Sequence, residues 1–229
     1  MMIGYKIFGT KDLKKQAYYF VIALINFFLL YMTGCRTALI ATAGAMLVFL
    51  IVNKNFRICL LIALACVLCG IYFIFNPEQF PRIERIFDNC GVRMKIWRAA
   101  ITGIKAHPLF GQGPMTYMMI FEKYHGHVTQ HAHSVYLDPI LSFGVIGISV
   151  LVPYVIDNFK KLIKVYKKRL NIRYVALVIS CITVILLHGT LDYTIFWVHT
   201  GILFLLLSSS FGIYENNGDL EREIEYERK

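Results

Sequence analysis

The stretch HGHVTQHAHS places four histidines, His125, His127, His131 and His133, within a few residues of one another, and His188 and Asp192 stand four apart later in the chain. Imidazole is the side chain whose unperturbed pKa lies near neutrality, so one well-mounted histidine suits proton abstraction from a hydroxyl. Two His-x-His pairs are equally a donor set for zinc, nickel or copper. Arg36 and Arg93 offer planar, always charged forks that match phosphate oxygens, which lysine does with less geometry. Trp97 follows Arg93 by four residues, and Gly111 to Pro114 make a turn. Each has a plainer reading. An arginine at a span end anchors to headgroups, a tryptophan joins the interfacial aromatic belt, and a His/Asp pair four apart is as often structural as catalytic. Gly111-x-Gly113 follows a helix rather than a strand, so it is a tight turn and not a dinucleotide fingerprint.

The elements that must position these residues are apolar helices. Of 229 residues, 57% are hydrophobic and 17% charged, and the mean hydropathy is +0.58. Those values exclude an ordinary soluble domain and make the bilayer the solvent. Apolar runs at about 17–33, 37–52, 58–75, 134–156, 174–190 and 195–213 predict an all-α, polytopic transmembrane protein of about six spans and a single domain. The short TGCR link leaves a tilted pair or a re-entrant hairpin open for 17–52. No cleavable signal pattern precedes the first run, and no repeat or linker divides the chain.

Basic residues set the expected orientation. Counting Lys and Arg before the first run, in NKNFR, from Asp157 to Arg173 and in the tail 214–229 gives 16 of the 24 on one side. Both termini are therefore expected in the cytoplasm, with the loop 76–133 outside. NFKKLIKVYKKRLNIR reads as a positive-inside anchor before an anionic-lipid site. Within the loop, Val92, Ile96, Ala99, Ala100 and Ile104 form one apolar helical face, ended at His107-Pro108, on a helix expected along the membrane surface. The mixed-charge tail reads as a solvated helix or a disordered end. Cys59, Cys66, Cys69 and Cys181 lie in apolar runs, where a thiol packs as a small hydrophobe, while Cys35 and Cys90 fall outside and are a possible pair.

Spacing adds a resemblance. His133-Ser134, then nine residues, then Gly144-x-x-Gly147 resembles a pattern of the bacterial O-antigen ligase and O-antigen polymerase superfamily. GCRTALI resembles that family's arginine motif, with Ile40 where leucine is common. GVRMKIWRAAITGIKAHPLFGQGPMTY is similar to its loop signature, and HGTLDYTIF to a weaker C-terminal His-x-x-x-Asp segment. The elements run in family order from about residue 17 to 213. Family members usually have many more spans, so the resemblance implies a truncated GT-C-like fold whose N-terminal half is absent or supplied by a partner subunit.

The resemblance further implies a glycosyltransferase of the bacterial cytoplasmic membrane that moves a glycan from a polyprenyl pyrophosphate donor to a hydroxyl on a glycan or lipid-linked acceptor. His133 is the expected base, and Arg36 and Arg93 the expected pyrophosphate ligands. Trp97, His131, His188 and Asp192 are expected in support. Leaving-group charge can be met by arginines or a divalent metal; with no carboxylate cluster outside, neither metal nor cofactor is expected. Gly144 and Gly147 are expected to let helices pack closely beneath the base. Membrane lipids are expected partners and nucleic acid is not. Two rivals stand beside this reading: a histidine-rich metal-binding membrane protein, and a transporter of lipid-linked glycans, which would need polar residues at mid-membrane.

Overall fold

The computed structural model describes residues 2–81 and 86–210. Every regular element among them is helical. In chain order these are α1 (Met2–Gly9), α2 (Leu13–Met32), α3 (Arg36–Val52), α4 (Phe56–Phe75), α5 (Ile86–Ala106), α6 (Thr116–Ile120), α7 (Leu137–Lys167), α8 (Ile172–His188) and α9 (Val198–Ser209), with 3-10 turns at Pro77–Gln79 and Thr194–Phe196. α2, α4 and α7 are each long and apolar enough to cross a membrane, and α3, α8 and α9 are shorter apolar helices. The chain is a polytopic helical membrane protein. The tail 214–229 lies outside the described residues.

Helix boundaries follow local chemistry. Asp12 begins α2 by accepting from Lys14 N at 2.9 Å and from Lys15 N at 3.4 Å, which satisfies two N–H groups that the helix leaves unpaired. Gly34, at φ 67°, turns the chain directly into α3. α1 was not anticipated. It is a short helix whose Phe8 packs on Phe49, ring centroids 5.9 Å apart.

α3 and α8 form the most extensively packed pair. They run antiparallel, with the start of α3 beside the end of α8. Small residues allow the approach: Ala41 and Ala45 are fully buried, and a Cβ on Gly44 would meet Leu187 Cδ1 at 2.9 Å. This is the membrane use of small side chains, where packing replaces the hydrophobic effect. At the far end, Leu162 and Val165 of α7 bury against Tyr174, Val175 and Val178 of α8. α2 and α4 bury no residue. Their leucines, isoleucines and phenylalanines are exposed, which would be costly in water and costs nothing against lipid.

A second core lies in the loop region. The predicted face of α5 is buried as expected, with Ile96, Ala99 and Ala100 packed on Tyr117, Ile120, Ala132 and Leu141. α5 ends at Ala106, ahead of Pro108. Tyr117, wholly buried, donates from its hydroxyl to His127 O at 3.0 Å, so the histidine-bearing segment is pinned onto this core.

The glycine motif behaves differently from expectation. Gly144 adopts φ 64° and ψ −177° and breaks α7, instead of seating another helix. The break frees backbone groups that the Pro108–Gly113 turn satisfies. Val145 N donates to Pro108 O at 2.9 Å, Ile146 N to Leu109 O at 3.0 Å, and Gly113 N to Ser142 O at 2.8 Å. A Cβ on Gly144 would lie 2.3 Å from Leu109 O, and one on Gly111 2.5 Å from Ser142 O. Two motifs far apart in sequence thus form one backbone-to-backbone clamp, with glycine required on both sides.

Candidate active site

His133 sits in a left-handed turn at φ 47°, ahead of α7 and not on its rigid first turn. Its mount comes from its neighbours. Ser134 Oγ accepts from Tyr136 N and Leu137 N, each at 3.3 Å, capping α7. The buried Asp138 accepts from Ala132 N at 2.7 Å. Val135 N donates to Gly189 O at 2.8 Å, and Tyr136 Oη to Leu186 O at 3.0 Å. Gly189 is needed at this seam, because a Cβ there would lie 2.3 Å from Ile185 O and 2.6 Å from Val135 Cγ1. The His133 turn is thereby docked on the end of α8.

That docking assembles a chain of polar groups. Thr37 Oγ1 lies 3.1 Å from His188 Nδ1, His188 Nε2 lies 3.6 Å from Asp192 Oδ2, and Asp192 Oδ1 lies 3.6 Å from His133 Nδ1. On its other side His133 Nε2 is 3.3 Å from Thr129 Oγ1. Ionised Asp192 faces His188 Nε2 and His133 Nδ1 at 3.6 Å, and His133 Nδ1 has no hydrogen-bond partner among the described residues; the tautomer that sets an N–H at each of these atoms makes His188 Nδ1 the acceptor from Thr37 and leaves His133 Nε2 as an acceptor. The His133 and Asp192 side chains are 32% and 36% exposed, open enough for a substrate hydroxyl to arrive.

Electrostatics agree with these roles. His133 beside Asp192, together with the Tyr193 N–H that donates to it at 2.7 Å, holds the carboxyl down to about 2 against the cost of burial. It is ionised at neutral pH. Burial pushes His131 down to about 4, helped by His133 and opposed by Asp192, so His131 is neutral and its Nδ1 accepts from His133 N at 3.3 Å. His131 stacks on Tyr193 with centroids 4.6 Å apart and meets the edge of Trp197 at 5.5 Å.

The arginines approach from two other elements. Arg36 opens α3, next to Thr37, and its guanidinium lies 5.1 Å over the Phe80 ring. Phe80 is held by Tyr31 and Phe73 at centroid distances of 5.8 and 5.2 Å, and Tyr31 donates to Gln79 O. A cation in the first turn of a helix opposes the helix dipole. An anion bound there would be favoured by both. Arg93, on α5, is near enough for its charge to act on His188. Trp97 packs against the α5 core with its indole N–H buried and unpartnered among the described residues.

Of the anticipated residues, His131, His133, His188 and Asp192 are brought together directly, with Arg36 adjoining through Thr37 and Arg93 through its charge. His131, His133 and Asp192 have ligand atoms within 4.8 Å of one another; His125 and His127 are not in this group. Cys35 and Cys90 are both free thiols, so the pair considered from sequence is not formed. Sequence reasoning missed Thr37, Thr129, Asp138, Tyr193 and Trp197. Thr37 and Asp138 directly follow or closely trail motif residues, which was the available signal; Thr129 carried none.

Helices around a polar cluster at one end of an antiparallel α3–α8 pair define a membrane protein with a solvent-accessible His/Asp/Arg site. A family model described as O-antigen ligase matches residues 21–152, more than half of the chain, and the chain belongs to that family. The match covers Arg36, Arg93, His133 and the Gly144 break, and stops short of His188 and Asp192. No curated protein and no solved structure gives a match.

Proposed function

We propose that the protein transfers a glycan from a polyprenyl pyrophosphate donor to a hydroxyl of a glycan or lipid-linked acceptor, with inversion and without a metal. The observation that carries this reading is the Thr37–His188–Asp192–His133 chain, whose outer imidazole nitrogen, His133 Nε2, meets only a hydroxyl among the described residues, that of Thr129, and so is set to accept a proton. His133 Nε2 takes the proton of the acceptor hydroxyl as its oxygen attacks the anomeric carbon. The bond from that carbon to the pyrophosphate oxygen breaks, and the polyprenyl pyrophosphate departs with the electron pair. The Thr129 hydroxyl, 3.3 Å from Nε2, stands in the direction from which an acceptor hydroxyl would donate. Asp192 orients the ring and stabilises its protonated form, as a buried carboxylate does for histidine in hydrolytic triads. Arg36, with the first turn of α3, and Arg93 would receive the pyrophosphate.

The same reading takes the six apolar helices as spans of one domain in the bacterial cytoplasmic membrane, with this site on the outer side and both termini inside. The basic residues Lys54, Lys167, Arg169 and Arg173 cluster at the opposite end of α3 and α8, in keeping with the positive-inside rule.

The decisive experiment is glycan transfer by His133→Ala in membranes containing every other component. A loss of about 10²-fold or more is expected with donor binding retained. A second reading rests on the 4.8 Å grouping of His131, His133 and Asp192, which would serve a divalent metal in place of the proton chain. Metal analysis of untagged protein distinguishes them: stoichiometric metal lost equally in the His131, His133 and Asp192 variants, together with activity, would overturn the base mechanism.

A further inference from the structure

Two cavities open on either side of the first turn of α8, at the end of the bundle remote from the histidines. One of about 290 Å³ lies between α1, α2 and α8 and is lined by Lys6, Lys15 and Arg173 with the hydroxyl-bearing Tyr5, Thr10 and Tyr19. The other, of about 220 Å³, is lined by Lys54, Lys167, Arg169 and Tyr166. Cations near a span end ordinarily do no more than orient the chain and snorkel to headgroups. Three features of the larger cavity go beyond that.

Its cations converge from three separate helices, and no carboxylate among the described residues lines it. Asp12, the acid nearest in sequence, is engaged in capping α2, its carboxylate accepting from Lys14 N and Lys15 N. Arg173 is fixed, because its Nη1 donates to Phe8 O at 2.8 Å, which leaves the rest of the guanidinium for a ligand. The four remaining N–H donors of one planar group, two ammonium groups and three hydroxyls suit a phosphate diester, and the volume admits the phosphate with part of a glycerol. The surface of α2, which lends Lys15 and Tyr19 to the cavity, is apolar and exposed over its following turns at Tyr18, Phe20, Val21, Leu24 and Ile25. An anion that arrives with acyl chains is matched by both halves of this surface, whereas a free anion uses only one.

We propose that the α1–α2–α8 cavity binds the headgroup of an anionic phospholipid, with its acyl chains along α2. This assignment is independent of the transferase reading and of which leaflet this end occupies. It is tested on the full-length protein in detergent, by native mass spectrometry with phosphatidylglycerol, phosphatidylcholine or inorganic phosphate as the added probe. Phosphatidylglycerol is expected to bind at least about tenfold more tightly than phosphatidylcholine, with a steep loss as salt is raised. Lys6→Gln combined with Lys15→Gln, and separately Arg173→Lys, should remove most of that preference, while Lys105→Gln combined with Lys123→Gln should keep it. Equal binding of the two lipids overturns the proposal, as does an equal loss in the Lys105/Lys123 variant or unchanged binding in the cavity variants. Inorganic phosphate binding as tightly as phosphatidylglycerol also overturns it, in favour of a free anion. If the lysine variant is unstable, the salt dependence and phosphate competition of the unaltered protein decide between the same outcomes.

Discussion

At the level of single residues, the site separates groups by what they must do. His133→Ala is expected to lose transfer by about 10²-fold or more, and Asp192→Asn by a comparable factor, since an amide N–H facing His133 favours the tautomer with Nε2 protonated and no longer stabilises the positive ring. His125→Ala and His127→Ala should stay within about threefold of the parent, because neither belongs to the polar chain. Arg36→Lys and Arg93→Lys should each cost at least about tenfold despite retained charge, as a bidentate contact loses geometry. Near-normal transfer by both lysine variants would show the arginines to be anchors. A pH effect on stability belongs here too. His131 is held from 6.5 down to about 4 by burial first, so the unfolded chain takes up a proton at higher pH than the folded one. Its contribution is complete above about pH 6.5 and is lost as the pH falls toward about 4. Asp192, held from 3.8 to about 2, adds a loss only below about pH 4. Thermal unfolding in detergent should therefore weaken through the first window, and His131→Asn, whose amide oxygen can still accept from His133 N, should flatten it. An unchanged pH dependence in that variant would remove His131 as the cause.

At the level of elements, the clamp between the Pro108–Gly113 turn and the break in α7 decides where the histidine turn lies relative to the α5 core. Gly144→Ala and Gly111→Ala each set a Cβ about 2.5 Å or less from backbone atoms and also force a left-handed φ on alanine. Each should destabilise by more than about 1 kcal/mol. Gly91→Ala, with nothing within 4 Å of its Cβ, should be neutral or slightly stabilising, as expected for glycine inside a helix. Unfolding midpoints of the three variants check this ordering. A neutral Gly144→Ala would mean that the break is not held by the clamp.

For the whole molecule, the expected arrangement is a polar site outside and a basic collar inside. In a background without the six native cysteines, Lys123→Cys should react with a membrane-impermeant thiol reagent in intact cells. Lys54→Cys should react only after permeabilisation. The reverse pattern would invert the topology and remove the extracytoplasmic transferase reading.

Much of this was legible in the chain alone, for a definite reason. Apolar runs and a helical apolar face are local properties, so the apolar helices and the buried face of α5 through Ile96, Ala99 and Ala100 could be read from spacing. The identity of Arg36, Arg93, His133 and Asp192 as candidates came from residue type and motif order, which are also carried by the sequence. Whether Asp192 meets His133 could not be read there. That depends on the Val135–Gly189 and Tyr136–Leu186 hydrogen bonds, which join segments about 50 residues apart and exist only when α7 and α8 are side by side. The role of Gly144 was likewise undecided, because a glycine inside an apolar run serves close packing or a break equally well. Only the arrival of the Pro108–Gly113 backbone, which satisfies the freed groups, selects the break. Local pattern determined the helices and the cast of residues; the tertiary contacts between distant backbones decided which of those residues touch.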